Sequence, residues 1–180
     1  MQGRITLSGT IGFEPEDRTK KHSNQSSWKK IAMVFFDGDV AEYYAWFIKK
    51  RYNLTLNKPL RGAHISFIND SMKDLSQNGV LSEEEIETKW EEVKKKWDGK
   101  KIDIVLDLDP RTNSEHWWLN IPHEEREQLQ SIRDELGLGR PYFGMHMSIG
   151  YANEKNIHHS SYIHDLIKKG FIKFVVKMNV

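Results

Sequence analysis

The chain of 180 residues contains no cysteine. This absence excludes disulfide bonds, thiolate nucleophiles and zinc sites built from cysteine. The chain also lacks an excess of either charge, because 27 Lys and Arg residues face 26 Asp and Glu residues, for a formal net charge of +1. Proteins that hold duplex nucleic acid by bulk electrostatics usually carry a clear basic excess. We therefore predict no duplex DNA partner, and any nucleotide ligand must be gripped locally at a small site.

Long apolar runs are missing as well. No stretch approaches the roughly 20 apolar residues of a membrane-spanning helix, and the first residues do not resemble a signal peptide. These features predict a cytoplasmic protein without a membrane partner. With 38% hydrophobic and 11% aromatic residues the composition is that of an ordinary globular protein. We expect a single domain over residues 1–180, acting as a monomer.

The hydrophobic periodicity predicts an α+β fold. Residues 4–13 alternate as in a half-buried strand, and residues 28–36 form a second, more apolar strand. A helix beginning near Asp37 carries apolar residues at helical spacing, and Ser82 with Glu85 has the spacing of a capping box at the start of another. The remaining predicted elements are a hairpin over 102–121, helices over 123–136 (ending at Gly137) and 154–169, and strands over 142–152 and 171–178.

One short pattern occurs twice. The sequence Gly-Ala-His-Ile-Ser-Phe contains His64 and Ser66, and Gly-Met-His-Met-Ser-Ile contains His146 and Ser148, 82 positions further on. Each copy follows a strand and a helix and lies in a predicted strand. Residues two apart in a strand point to the same face, so each histidine projects together with its serine. Two such strands facing one cleft would bring two imidazoles and two hydroxyls around one volume.

This set of groups suits the chemistry of a phosphodiester. Free imidazole titrates at about 6.5, so one histidine can accept a proton from an attacking water or 2′-hydroxyl while the other donates one to the leaving oxygen. The hydroxyls of Ser66 and Ser148 can donate hydrogen bonds to the non-bridging phosphate oxygens and stabilise the charge that develops there. The mechanism requires no metal and no other cofactor.

The two motifs resemble those of the 2H phosphoesterase (2′-5′ RNA ligase-like) superfamily, whose signature is a pair of H-x-[S/T] motifs about eighty residues apart. The basic lead-in at Arg61 and the Arg-Pro-aromatic lead-in at Arg140 are also similar to the family pattern. The resemblance covers roughly residues 28–178 and implies a bilobal fold, with two pseudo-symmetric antiparallel sheets flanking a central cleft and helices on the outside. Residues 1–27 then form an added strand and loop. Met145 departs from the proline common before the second histidine.

The resemblance implies a metal-independent phosphodiesterase in which His64 and His146 are the catalytic pair. Its substrate is a small nucleotide or an RNA end, and three classes stay open: a 2′,3′-cyclic phosphate, a 2′-5′ linkage or a cyclic oligonucleotide signal. Two other functions also stay open, namely an inactive relative that sequesters a nucleotide and an RNA end-joining ligase. The sequence does not say which histidine is the acid.

Several further residues are candidates for substrate binding. Arg61 and Arg140 each precede a motif and could neutralise phosphate, while Tyr142 and Tyr151 flank the second motif and could stack on a base. Of the adjacent Trp117 and Trp118, one should face the core and the other the cleft or a partner surface. The remaining histidine cluster invites a metal interpretation, but its spacings of one, five and six residues do not match the i, i+4 pattern of ligands on a helix. We therefore predict no metal site at the three residues His158, His159 and His164.

Overall fold

The computed structural model describes residues 3–15, 29–36, 40–59, 61–113, 115–141, 144–152 and 173–174. The described part confirms the α+β class. Its strands are β1 (Arg4–Phe13), β2 (Lys29–Phe36), β3 (His64–Ser71), β4 (Lys101–Asp107), β5 (Arg111–Thr112), β6 (His116–Asn120), β7 (His146–Tyr151) and β8 (Lys173–Phe174). Its helices are α1 (Val40–Tyr52), α2 (Met72–Leu75), α3 (Glu83–Trp97) and α4 (Glu127–Glu135), with a 3₁₀ turn at His123–Glu125 before α4.

All eight strands belong to one sheet, in the order β4-β1-β2-β3-β7-β6-β5-β8. The expectation of two separate sheets flanking a cleft is therefore wrong. The physical reason lies at the centre, where β3 and β7 pair antiparallel through Ile65 and Met147 and so join the two halves. Both side chains are fully buried, so separating the strands here would expose apolar surface and leave backbone groups unpaired.

The order of the strands nevertheless has an internal symmetry about the β3–β7 pair. The first half runs β1, β2, α1, β3, and the second runs β5, β6, α4, β7, so each half delivers its His-x-Ser strand to the centre. The halves differ at the edges. β4 is antiparallel to β1, whereas β8 is parallel to β5.

The hairpin expected over residues 102–121 is wrong. β4 pairs with β1 in a seven-residue register from Arg4 opposite Asp107 to Thr10 opposite Lys101. β6 instead pairs with β5 and β7. The chain turns away after β4 and forms the short β5 before β6, so that β4 is an edge strand and four strands separate it from β6 in the sheet. β1 is consequently an interior strand, between β4 and β2.

Alternation along the strands separates a buried face from a polar one. The buried side chains of the strands and helices form one continuous hydrophobic cluster that crosses both halves. Thr10, His64, Ser66, Ser148 and Asn120 lie on the other side of the sheet, which we call the polar face. Burial of the apolar face fixes the strand register, because a slip by one residue would exchange the two faces.

The helix boundaries follow the signals in the sequence. Ser82 and Glu85 form the expected reciprocal capping box at the start of α3. The helix predicted over 123–136 is α4 with its 3₁₀ turn, and Gly137 follows it with φ +72°, a conformation that favours glycine. The helix predicted over 154–169 lies outside the described residues.

The sheet is curled into a half-barrel, which brings β4 and β6 into contact although four strands separate them in the strand order. Arg4 of β1 donates a hydrogen bond of 2.6 Å to Glu124 in the 3₁₀ turn that follows β6. Within the described residues, no helix has the length and apolar character needed to cross a membrane.

Candidate active site

The centre of the polar face holds both His-x-Ser motifs. Ile65 is opposite Met147 in the antiparallel β3–β7 pair. Extending this register by one residue in each direction places His64 opposite Ser148 and Ser66 opposite His146. Each histidine therefore faces the serine of the other motif, and the two histidines lie on a diagonal. Diagonal neighbours in antiparallel strands are roughly 7–8 Å apart at Cα, within reach of long or aromatic side chains.

Both imidazoles are oriented in the same way by the backbone. Nδ1 of His64 lies 2.9 Å from the carbonyl oxygen of Gly62, and Nδ1 of His146 lies 2.6 Å from that of Gly144. A carbonyl oxygen can only accept, so Nδ1 carries the proton in each ring. In the neutral imidazole this leaves Nε2 as an acceptor, directed away from the backbone. The two rings thus present equivalent nitrogens for proton transfer.

Burial sets the protonation of both histidines. Desolvation lowers the pKa of His64 below its ordinary value, against the hydrogen bond to Gly62, and the charges of Arg61 and His146 lower it further. Desolvation likewise lowers the pKa of His146, against its bond to Gly144. Because the charge of His146 acts on His64, the two rings share one electrostatic environment. Each ring is therefore protonated to a smaller extent than free imidazole at the same pH.

The two motif strands also share an irregularity. The register of β3 against β2 shifts after Ser66, and that of β7 against β6 shifts after Ser148, so each strand has a bulge just beyond its serine. Both strands show the same burial pattern, with two consecutive buried residues at the bulge. A bulge reverses the alternation beyond it. In β7 this turns Tyr151 to the exposed side, where its ring centroid lies 6.5 Å from that of His116.

An aromatic ring stands beside each histidine. The ring centroid of Phe35 in β2 lies 6.4 Å from that of His64, and that of Trp118 in β6 lies 5.7 Å from that of His146. The indole Nε1 of Trp118 donates to the side-chain oxygen of Asn120 at 2.9 Å, which fixes the ring. Trp117 is fully buried, so the expectation that the adjacent tryptophans face opposite sides is confirmed.

The other predicted site residues are distributed around this centre. Arg61 is half-buried and close enough to His64 for its charge to lower the pKa of that histidine. Arg140 is exposed and lines a cavity of about 360 Å³ that reaches Gly144 and Met145, the residues before His146. Tyr151 lies at the exposed end of β7. Tyr142 lies outside the described residues, so its predicted role has no structural counterpart here.

Two residues near His146 were missed by the sequence interpretation. The charges of His116 and Arg126 both lower the pKa of His146. Arg126 also lines the cavity beside Gly144. His116 is the first residue of β6 and lies two residues before Trp118. Strand alternation could therefore have placed both side chains on the polar face. No local pattern marks Arg126, because it lies 20 residues from His146 in sequence, between the 3₁₀ turn and α4.

Among the described residues, no cluster of three or more His, Asp and Glu side chains is arranged to hold a metal ion. The predicted absence of a metal site at His158, His159 and His164 concerns residues outside the described part of the chain. Comparison of the chain with protein-family models, with curated proteins and with solved structures found no match. The resemblance to the 2H phosphoesterases consequently stays an expectation from the two motifs and their lead-ins at Arg61 and Arg140.

Proposed function

We propose that the protein is a phosphodiesterase of the 2H type, acting on a small nucleotide or an RNA end by two-histidine acid–base catalysis. The observation that supports this most is the antiparallel pairing of β3 and β7 at Ile65 and Met147, which puts both His-x-Ser motifs on adjacent strands. A structural role for the histidines would require neither the paired register nor the matching Nδ1 contacts to Gly62 and Gly144.

The proposed reaction uses the two free Nε2 atoms. The neutral ring of one histidine accepts the proton of an attacking water or 2′-hydroxyl, and the protonated ring of the other donates to the leaving oxygen. The hydroxyls of Ser66 and Ser148 donate to the non-bridging oxygens between them. Because desolvation lowers both pKa values in the free protein, the negative charge of the phosphate is needed to favour the protonated form of the acid.

The decisive experiment is a turnover assay over a panel of substrates with excess EDTA present. The panel contains nucleoside 2′,3′-cyclic phosphates, 2′-5′ oligoadenylate, RNA ending in a cyclic phosphate, and cyclic dinucleotides. We expect one class to be cleaved at an undiminished rate in chelator. In that assay His64→Ala and His146→Ala should each lower kcat by about 10²–10⁴-fold, and the double variant should be little worse than either, because the pair acts as one unit.

Several outcomes would count against the proposal. Activity that EDTA abolishes and Zn²⁺ or Mn²⁺ restores would indicate a metal-generated nucleophile. Near-normal activity of either single histidine variant would show that the residues are not a pair. Tight binding of one panel member without turnover, unaffected by the histidine variants, would favour a sequestering protein. Circular dichroism of each variant shows whether the fold is retained. Lys95→Ala, on the exposed face of α3, is the control variant and should keep the wild-type activity.

A further inference from the structure

Arg126 occupies an unusual position beside the two histidines. Its Nε and Nη2 both donate to the carbonyl oxygen of Ile121, at 2.9 and 2.7 Å, which holds the guanidinium plane in place. Nη1 makes no hydrogen bond to any described residue and lies 3.8 Å from the point where a side chain on Gly144 would begin. The carbonyl of Gly144 is the group that orients His146. The free edge of the guanidinium therefore lies close to the second motif.

The positive charge of Arg126 is only weakly compensated. The side chain is half-buried, and desolvation lowers its pKa, while the charges of Asp107 and Glu124 act in the opposite direction. Arg4 shares both carboxylates with Arg126. Glu124 accepts a hydrogen bond from Arg4, and an oxygen of Asp107 lies 4.0 Å from Nε of Arg4. In the described part of the chain, no carboxylate forms an ion pair with Arg126. A half-buried cation without its own counter-ion favours binding of an anion.

Arg126 is related to His146 as Arg61 is related to His64. The charge of Arg61 lowers the pKa of His64, and the charge of Arg126 lowers that of His146, so each imidazole has one arginine nearby. Arg126 and Gly144 both line the cavity beside α4. The cavity therefore brings solvent to the guanidinium of Arg126 and to Gly144, the residue whose carbonyl oxygen orients His146.

We propose that Arg126 is a phosphate-binding residue, which contacts the phosphate group of the substrate through Nη1 from the His146 side. The inference depends on the proposed function for the identity of the substrate, but the anion site itself does not. It adds to the site a cation that the two sequence motifs do not contain. Arg126 and Arg61 then flank the phosphate from opposite motifs.

The test uses inorganic phosphate as the probe and NMR of the histidine rings as the readout. Phosphate should raise the pKa of His146 in the wild-type chain, and Arg126→Gln should weaken phosphate binding by about 10- to 100-fold, as expected for a charge-assisted hydrogen bond. Arg126→Lys should lie between, because lysine keeps the charge but loses the planar fork. Without phosphate, Arg126→Gln should raise the pKa of His146. Arg51→Gln, the same change at the exposed end of α1, should alter neither quantity.

Unchanged phosphate affinity in a folded Arg126→Gln variant would overturn the inference. If that variant does not fold, the wild-type chain decides, because the guanidinium resonances of Arg126 must shift with the same apparent Kd as the ring of His146. Failure of the two proposals is distinguishable. Turnover that needs both histidines but tolerates Arg126→Gln overturns the arginine role alone. Arg126-dependent phosphate binding without turnover of any panel member supports the anion site and counts against the esterase.

Discussion

At the scale of single residues, the lowered pKa values of the two histidines determine the expected pH dependence. Catalysis needs one neutral and one protonated imidazole, so kcat/KM should follow a bell-shaped curve whose limbs belong to the coupled pair. Desolvation lowers the pKa of both His64 and His146 in the free protein. The optimum should consequently lie below about 6.5, the value of free imidazole. Rates measured from pH 4.5 to 8.5 test this, and a plateau that extends to pH 8 would contradict it.

The motif serines give a second prediction at this scale. Ser66→Ala and Ser148→Ala should each lower kcat by about 10²–10³-fold, the usual cost of removing one donor to a developing oxyanion. Ser→Thr at the same positions should restore most of the rate, because threonine keeps the hydroxyl. Steady-state rates at saturating substrate provide the measurement. Equal rates for the Ala and Thr variants would mean that the hydroxyls do not contact the phosphate.

The predictability of the site differs from residue to residue. Strand alternation alone places His64 with Ser66 and His146 with Ser148, because two-residue spacing selects one face. Alternation cannot reveal which strands are neighbours, so the pairing of each histidine with the opposite serine required the structure. Arg126 is contributed by a turn after β6, and its approach to His146 depends on tertiary packing that no local pattern encodes.

At the scale of elements, a buried arginine fixes α4 to β3. Arg133 is 1% exposed and donates to Asp70 at 2.7 and 3.0 Å, to the carbonyl of Phe67 at 2.8 Å and to that of Gly139 at 2.9 Å. Arg133→Met should lower the free energy of unfolding by about 3–5 kcal/mol, because it leaves a shielded carboxylate and two carbonyls without their partner. Denaturant unfolding measures the change.

A matched surface pair provides the control for this prediction. Lys96 contacts Glu135 at 2.8 Å, and both side chains are partly exposed, so Lys96→Ala should cost only about 0–1 kcal/mol. Replacing both partners of the ion pair, with Asp70→Leu added to Arg133→Met, should recover part of the loss, since no unpaired charge then remains. A loss below about 1 kcal/mol for Arg133→Met alone would show that α4 is held by its apolar contacts instead.

The elements differ in how far local sequence determined them. The capping box of α3 and the glycine after α4 were predictable because their residues are adjacent in the chain. The hairpin over 102–121 was predicted wrongly, because an alternating strand is compatible with any neighbour. β4 pairs with β1, which lies about 100 residues earlier in the chain. The bulges after Ser66 and Ser148 leave no mark in the sequence except two consecutive apolar or small residues.

At the scale of the whole molecule, one continuous sheet replaces the two that the family resemblance implied. The α+β class follows from periodicity, but the number of sheets depends on whether β3 and β7 pair, and a single register position decides that. The consequence for function is direct. With both motifs on adjacent strands of one sheet, the distance between the histidines is set by strand pairing and not by the relative motion of two lobes.

The desolvation that lowers the pKa values of the two histidines should also affect how the stability of the whole protein depends on pH. The folded pKa of each histidine lies below that of the unfolded chain, so protonation favours unfolding. The stability associated with the neutral rings is fully present above about pH 6.5 and is lost as the pH falls through the lowered folded values. Each pKa unit between the folded and the unfolded chain corresponds to about 1.4 kcal/mol of stability per histidine.

A comparison of the wild-type chain with His64→Asn/His146→Asn isolates this contribution. Carboxylates such as Glu14, whose pKa is lowered by Lys94 and Lys30 against the effect of burial, destabilise both proteins at acid pH and cancel in the difference. The Tm of the wild type should therefore fall more steeply than that of the double variant between pH 7 and pH 5. Bound phosphate should reduce the difference in slope between the two Tm curves, because it stabilises the protonated imidazoles of the wild type. Parallel Tm curves through this range would mean that the two imidazoles are not desolvated, and the acidic optimum expected for kcat/KM would lose its basis as well.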